Sequence, residues 1–99
     1  MSGNDEIKLA HEPAQNRFVA RLQDNEAELN YREEADGTLD YYRTFTPTEL
    51  RGQGIAGRLV TYALDYALER SSRVRPTCPF VAKLIAREPK YADIAVSTV

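Results

Sequence analysis

Arg51-Gly52-Gln53-Gly54-Ile55-Ala56 is the segment of this chain best equipped to hold an anion. Its two glycines leave no side chain between a ligand and the backbone, and an apolar-periodic helix pattern follows at once. Several N–H groups and the positive end of a helix dipole therefore converge on one point. Such an arrangement suits a diphosphate. A second candidate is Cys78, directly before Pro79 at the predicted N-cap of another helix, where the dipole favours thiolate. The alternative for Cys78 is a small buried packing residue, the usual role of a lone cysteine.

The elements that must position these groups can be read from periodicity. From Arg17 to Thr46 apolar residues alternate with a period of two: Phe18, Ala20 and Leu22, then Ala27, Leu29 and Tyr31, then Leu39, Tyr41 and Phe45. Asp24-Asn25 and Asp36-Gly37 are turn-forming pairs, so the pattern predicts an antiparallel three-strand meander. Pro47 ends the third strand. Beyond Gly54 the period changes, and Leu59, Val60, Ala63, Leu64, Ala67 and Leu68 predict a helix to about Arg70 with one apolar stripe. Residues 73–78 read as a short strand parallel to the third, reached through that helix by a right-handed crossover. Pro79 opens a second helix that buries Phe80, Val81, Leu84 and Ile85 and ends at Pro89. Residues 1–12 and 92–99 are expected to be loosely held, with His11 incidental. The fold class is mixed α+β.

Size and charge bound the function. Ninety-nine residues, 42% of them hydrophobic, fit one domain (1–99, core about 16–95) with no room for a separate substrate domain. No apolar run approaches a membrane span, and the acidic start has no secretion-signal order, which predicts a cytoplasmic protein. One cysteine and one histidine offer no metal-ligand set. Residues 1–50 carry five Lys/Arg against eleven Asp/Glu, while residues 51–99 carry eight against four. The basic half holds the glycine turn, which favours an anionic ligand there. A pI of about 5.4 and the lack of a stacking aromatic cluster argue against nucleic acid as partner.

Strand, strand, strand, glycine turn and helix, strand, helix, with Arg51, Gly54 and Ala56 at the turn, resembles the GNAT acyltransferase superfamily and its acetyl-CoA signature. The likeness is closer to the minimal GNAT-like (YjdJ/NATD1-type) N-acetyltransferases. Asn16-Arg17-Phe18 at the start of the sheet, Pro76-Thr77-Cys78-Pro79-Phe80-Val81 and Pro89-Lys90-Tyr91 carry it, over roughly residues 16–95. The resemblance implies a truncated GNAT-like fold and a CoA-dependent N-acetyltransferase. The CoA pyrophosphate would lie on the amides of Gln53, Gly54, Ile55 and Ala56, beside Gly52. Pantetheine would run near Phe45 and Thr46, where the third strand diverges from the strand at Val74. Arg51 and Arg58 would add charge to the phosphates, with Lys83 and Arg87 as further candidates. Cys78 would stand near the acetyl group as a catalytic residue, and amides of the splayed strand would stabilise the oxyanion.

Two departures from the subfamily pattern bear on mechanism. Arg43-Thr44 replaces a frequent His-Thr pair, and arginine is no base near neutral pH. Leu84 stands where a tyrosine is common on the second helix. Tyr41, Tyr42 and Glu49 are the remaining polar candidates for the cleft. The departures favour, as an alternative, a CoA-binding or protein-interaction module without transfer activity. The acceptor, a small amine or a protein lysine, and the oligomeric state are not written in the sequence.

Overall fold

The structure, a computed structural model, describes residues 6–96. Four antiparallel strands lie side by side in chain order: β1 (Lys8–Glu12), β2 (Arg17–Leu22), β3 (Asn25–Glu33) and β4 (Leu39–Phe45). Helix α1 (Ile55–Glu69) carries the chain back across the sheet, so β5 (Val74–Arg75) pairs with β4 in parallel, and α2 (Pro79–Arg87) follows. The helix predicted from Gly54 to Arg70 is α1 with its two caps. Short 3-10 turns occupy Pro13–Gln15, Thr48–Leu50 and Pro89–Ile94.

One face of the sheet meets both helices. Phe18, Leu29 and Tyr41 pack there with Leu59, Val60, Ala63 and Leu64 of α1, Val81 and Leu84 of α2, and Tyr91. Each large apolar side chain so buried contributes about 1.5–3 kcal/mol over leaving it in water. The opposite face is covered by ion pairs. Val19 is fully buried there, outside the main core cluster. Around it Arg17 donates to Glu12 and Glu28, both at 2.7 Å, and Arg21 donates to Glu26 at 2.6 Å and Glu12 at 2.8 Å. Hydrogen bonds from Arg21 and Arg17 hold the Glu12 carboxyl below the usual carboxylate range.

The sheet has one more antiparallel strand than the three-strand meander read from the sequence. Lys8–Glu12, expected to be loose, pairs with Arg17–Arg21, and His11 is a core contact rather than an incidental residue. Its ring stacks on Phe18 at 4.3 Å and meets Tyr66 edge-on at 4.4 Å, and its Nε2 lies 2.7 Å from the Tyr31 hydroxyl. Ile7 and Leu9 pack against the core beside it. At the other end Ile94 is buried, and Val96 donates to the Val74 carbonyl at 2.9 Å, so residues 92–96 are held as well. The expectation for residues 1–5 and 97–99 lies outside the described residues.

Partial burial, and then the nearby Arg70 charge, push the His11 imidazole below its ordinary value of 6.5. Tyr31 and Tyr66 are the other titratable groups against the ring. Protonation is thus harder in the folded state than in the unfolded chain. The contribution of neutral His11 is complete above pH 6.5 and is lost as pH falls from there through the lowered folded value. Melting temperature is expected to drop between pH 7 and 5 by more in the wild type than in His11→Phe, which keeps the ring stack but cannot titrate. Equal drops in the two proteins would assign the acid sensitivity to carboxylates alone.

Three positions depart from the predicted faces. β4 carries a bulge: Asn30 pairs with Arg43 and Tyr31 with Tyr41, so Tyr42 is an extra residue. Tyr42 and Arg43 both turn outward, Thr44 returns to the helix side, and Phe45, expected beside Tyr41 in the core, is 43% exposed on the other face. Strict alternation fails after one inserted residue. Leu68 is exposed because the face of α1 set by Val60, Ala63, Leu64 and Ala67 has rotated past it in the last turn. Phe80 is exposed at the start of α2, beside the glycine turn, instead of in the core. The β2–β3 hairpin turns at Gln23-Asp24, one residue before the predicted pair, with Gln23 at a φ of 57°.

Candidate active site

After β4 the chain makes the 3-10 turn at Thr48–Leu50 and then the turn over residues 51–54. Gly52 and Gly54 sit at φ of 81° and 73°, a region costly for any residue with a Cβ. Gly54 is the N-cap of α1, and no side chain caps the helix. Backbone bonding stops at Arg51, which donates to the Thr48 carbonyl at 3.2 Å. It resumes at Arg58, which donates to the Gly54 carbonyl at 3.2 Å. Among the described residues, the amides between them, those of Gln53, Gly54, Ile55 and Ala56 included, meet no internal acceptor. A run of unpaired donors at a helix start is an anion site in waiting.

Two side chains brace the turn. Arg51 Nε donates to the Thr46 carbonyl at 3.0 Å, tying the end of β4 to the loop, and Gln53 Nε2 donates to the Glu49 carbonyl at 3.0 Å. Glu49 thus enters through its backbone. The turn opens onto a groove of about 250 Å³ walled by Thr46, Leu50, Arg51, Ala56 and Phe80, with Gly52, Gly54 and Gly57 at its floor. A larger concavity of about 490 Å³ shares Gly54 and Gly57 and continues past Arg58 and Thr61 to Leu84 and Arg87. Phe45 lies on the other face, with Arg43 over its ring at 5.4 Å, and Lys83 is exposed and lines neither groove. Ile55 is buried, its side chain in the core.

Beside the groove the sheet forks. β4 and β5 pair only at Leu39–Val74 and Asp40–Arg75, and the Cys78 amide then donates to the Tyr41 carbonyl at 3.0 Å. Beyond that point no backbone hydrogen bond joins β4 to the chain entering α2, among the described residues. In the fork Cys78 Sγ lies 3.4 Å from Thr44 Oγ1. Cys78 is the N-cap of α2, is buried, and accepts from the Ala82 amide at 3.0 Å. The sequence-predicted glycine turn and cysteine therefore lie at two ends of one region, joined by Thr46 and Phe80.

Tyr41, Tyr42 and Tyr91 are otherwise committed. Tyr41 donates from its hydroxyl to the Ala63 carbonyl at 2.7 Å, and burial pushes its phenol far up, so it is a core strut and no cleft acid. Tyr42 points to the opposite face, stacked under Arg32 at 4.6 Å. Tyr91 is buried and donates to Asp65 at 2.6 Å; burial and that carboxylate push its phenol up. Arg43, in the position of the frequent histidine, turns outward to Glu28 and Asn30 at 3.0 and 2.7 Å.

Sequence reasoning overlooked three contributors. Thr44 is one: its return to the helix side after the bulge puts its hydroxyl on the thiol. Phe80, whose helical spacing predicts burial, is exposed and walls the groove. Gly57 lies inside α1 with a negative φ, and a Cβ there would meet nothing within 4 Å. A helix gains about 0.5–1 kcal/mol from alanine at such a site. A glycine within an apolar helical period was the sequence signal, and it lines both grooves.

Residues 17–94 match the family model described as GCN5-related N-acetyl-transferase. The chain belongs to the GCN5-related N-acetyltransferase family. Within it, the chain is 29% identical to Protein NATD1 of Xenopus tropicalis, with 90% of this chain and 84% of that protein covered. Identity to Protein NATD1 of Bos taurus is 31%, covering 84% and 75%. The fold is likewise similar to the solution structure of a Staphylococcus aureus protein described as a GCN5-like candidate N-acetyltransferase. That similarity has a TM-score of 0.68 and 25% identity, over 99% of this chain and 94% of the other. This GCN5-related N-acetyltransferase domain is thus a minimal member of a family whose chemistry is acyl transfer. Among its described residues no helix is long and apolar enough to cross a membrane, and no group of three or more His, Cys, Asp or Glu is placed to hold a metal ion.

Proposed function

We propose that this protein transfers the acetyl group of acetyl-CoA to an amine, in the cytoplasm, with a small amine or a protein lysine as acceptor. The observation that carries this reading is the run of unpaired amides between Arg51 and Arg58, opening onto a groove that ends two residues from both Thr44 and Cys78. The diphosphate would accept hydrogen bonds from residues 53–56, and pantetheine would pass between Thr46 and Phe80 toward the fork. There the amine nitrogen attacks the thioester carbonyl carbon, and unpaired amides of β4 donate to the oxyanion. The intermediate collapses with cleavage of the C–S bond. Cys78 gives its proton to the departing CoA thiolate and is reprotonated through the Thr44 hydroxyl by the proton the acceptor nitrogen sheds.

A module that binds CoA without transfer is the second reading. It is favoured by the outward turn of Arg43 and the burial of Leu84, which leave neither position able to supply an acid or base to the fork. Acetyl-CoA at about 100 times its Kd is expected to stabilise the fold by about 2.7 kcal/mol, seen as a rise in Tm. Thiol release from acetyl-CoA over a panel of amines then separates the readings: turnover supports transfer, and a Tm shift without turnover supports the module. No shift at millimolar acetyl-CoA would remove both.

A further inference from the structure

We infer that this chain forms a two-fold dimer through β1, whose free edge pairs antiparallel with the β1 of a second copy. Such a dimer is independent of what the glycine turn binds. β1 closes one side of the sheet, and among the described residues no strand lies beyond it. Tyr31 donates to the Asn16 carbonyl at 3.0 Å, so by alternation Arg17, Val19 and Arg21 turn their N–H and C=O groups toward β1. They face Glu12, Ala10 and Lys8, which leaves the backbone groups of Leu9 and His11 pointing outward. The core is also unfinished here. Of the apolar side chains that pack on it while only partly buried, all but Ile85 lie along this edge: Ile7, Leu9, Tyr62 and Tyr66.

Lys8-Leu9-Ala10-His11-Glu12 is self-complementary when a two-fold axis passes beside Ala10. Lys8 then faces Glu12 of the second copy on both sides of the axis, Leu9 faces His11, and the two small Ala10 side chains meet at the centre. Leu9 and His11 fall at hydrogen-bonded positions and exchange N–H and C=O bonds with their counterparts. Lys8 and Glu12 fall at the closer positions between those bonds, where opposite charges support the pairing. Lys8 is exposed and enters no ion pair among the described residues, while Glu12 is held in place by Arg17 and Arg21. An axis at Leu9 or at His11 loses both charge pairs. A lysine on an edge strand repels most partners, and here it admits one that carries the matching carboxylate. Growth stops at two copies, because Pro13 ends β1 and the opposite edge offers only the two residues of β5, already bonded by Val96.

The test is sedimentation equilibrium of the full chain over a wide concentration range, joined to NMR hydrogen exchange of single backbone amides. Mass is expected to rise with concentration from 11.2 kDa to twice that value. The Leu9 and His11 amides are expected to exchange about tenfold or more slowly as the dimer fills. Lys8→Glu sets like charges opposite each other twice and should weaken association about tenfold, whereas Lys8→Arg should leave it unchanged. Both variants alter an exposed side chain, so both should keep the wild-type circular dichroism spectrum. A monomer at every concentration overturns the dimer. A dimer in which Leu9 and His11 exchange as fast as in dilute protein overturns the role of β1, because the contact then lies elsewhere. Equal association of the wild type and Lys8→Glu overturns the pairing about Ala10, since the charge pairs set that axis.

Discussion

Gly54→Val is expected to weaken acetyl-CoA binding about a hundredfold, while costing about 1–2 kcal/mol of folding stability. Gly54 sits at a φ of 73° as the N-cap of α1, where a β-branched residue is strained, so the turn must either hold the strain or shift. A Cβ there meets no protein atom within 4 Å, so the new side chain projects into space shared by both grooves. The affinity loss corresponds to about two hydrogen bonds to a charged acceptor at 1.5–3 kcal/mol each, partly retained by relaxation. Calorimetric titration gives the affinity and urea unfolding the stability, so the two effects are read separately. Reduced stability with unchanged affinity would make the glycine a chain-reversal device only.

The second large effect is expected at the fork. Cys78→Ala should lower kcat about a hundredfold or more, the range for loss of a positioned acid, while leaving acetyl-CoA affinity within about twofold. The split follows from geometry: the thiol touches Thr44 in the fork, whereas the unpaired amides lie on the loop. Thr44→Val, which keeps shape and removes the hydroxyl, should give a smaller fall in the same direction, with the double variant no worse than Cys78→Ala. Initial rates of CoA thiol release and the Kd for acetyl-CoA decide the matter. Unchanged turnover in Cys78→Ala would return the sulfur to packing.

The residues most legible from sequence were those whose local conformation admits few alternatives. Glycine before a helical period is one such signal, and it placed the turn at Gly52 and Gly54 and the start of α1 where the structure has them. The parallel β4–β5 pair followed from a strand–helix–strand order. Less legible were features that arise only when distant segments meet. β1 is five residues long, and its inward row contains Leu9 and a histidine, so its periodicity is too short and too polar to stand out. His11 is tolerated inside because Tyr31, Phe18 and Tyr66, each from elsewhere in the chain, bond to it or pack on its ring. The bulge in β4 reversed Phe45 and Thr44 because alternation cannot register an inserted residue. The Nε of Arg51, which the resemblance places among the phosphate ligands, bonds the Thr46 carbonyl, a contact between loop and strand end that no local pattern announces.

The brevity of β5 has a mechanical meaning. With two residues paired to β4, the crotch between the ribbons is closed by the Cys78 amide on the Tyr41 carbonyl, the last backbone link there among the described residues, with Thr77 on Asp40 and the Cys78 sulfur on Thr44 beside it. The same residue that would pass a proton is therefore also the rivet that sets how far the jaws can part. A ligand wedged between them would load that rivet directly, so seating of the arm and placement of the sulfur cannot vary independently.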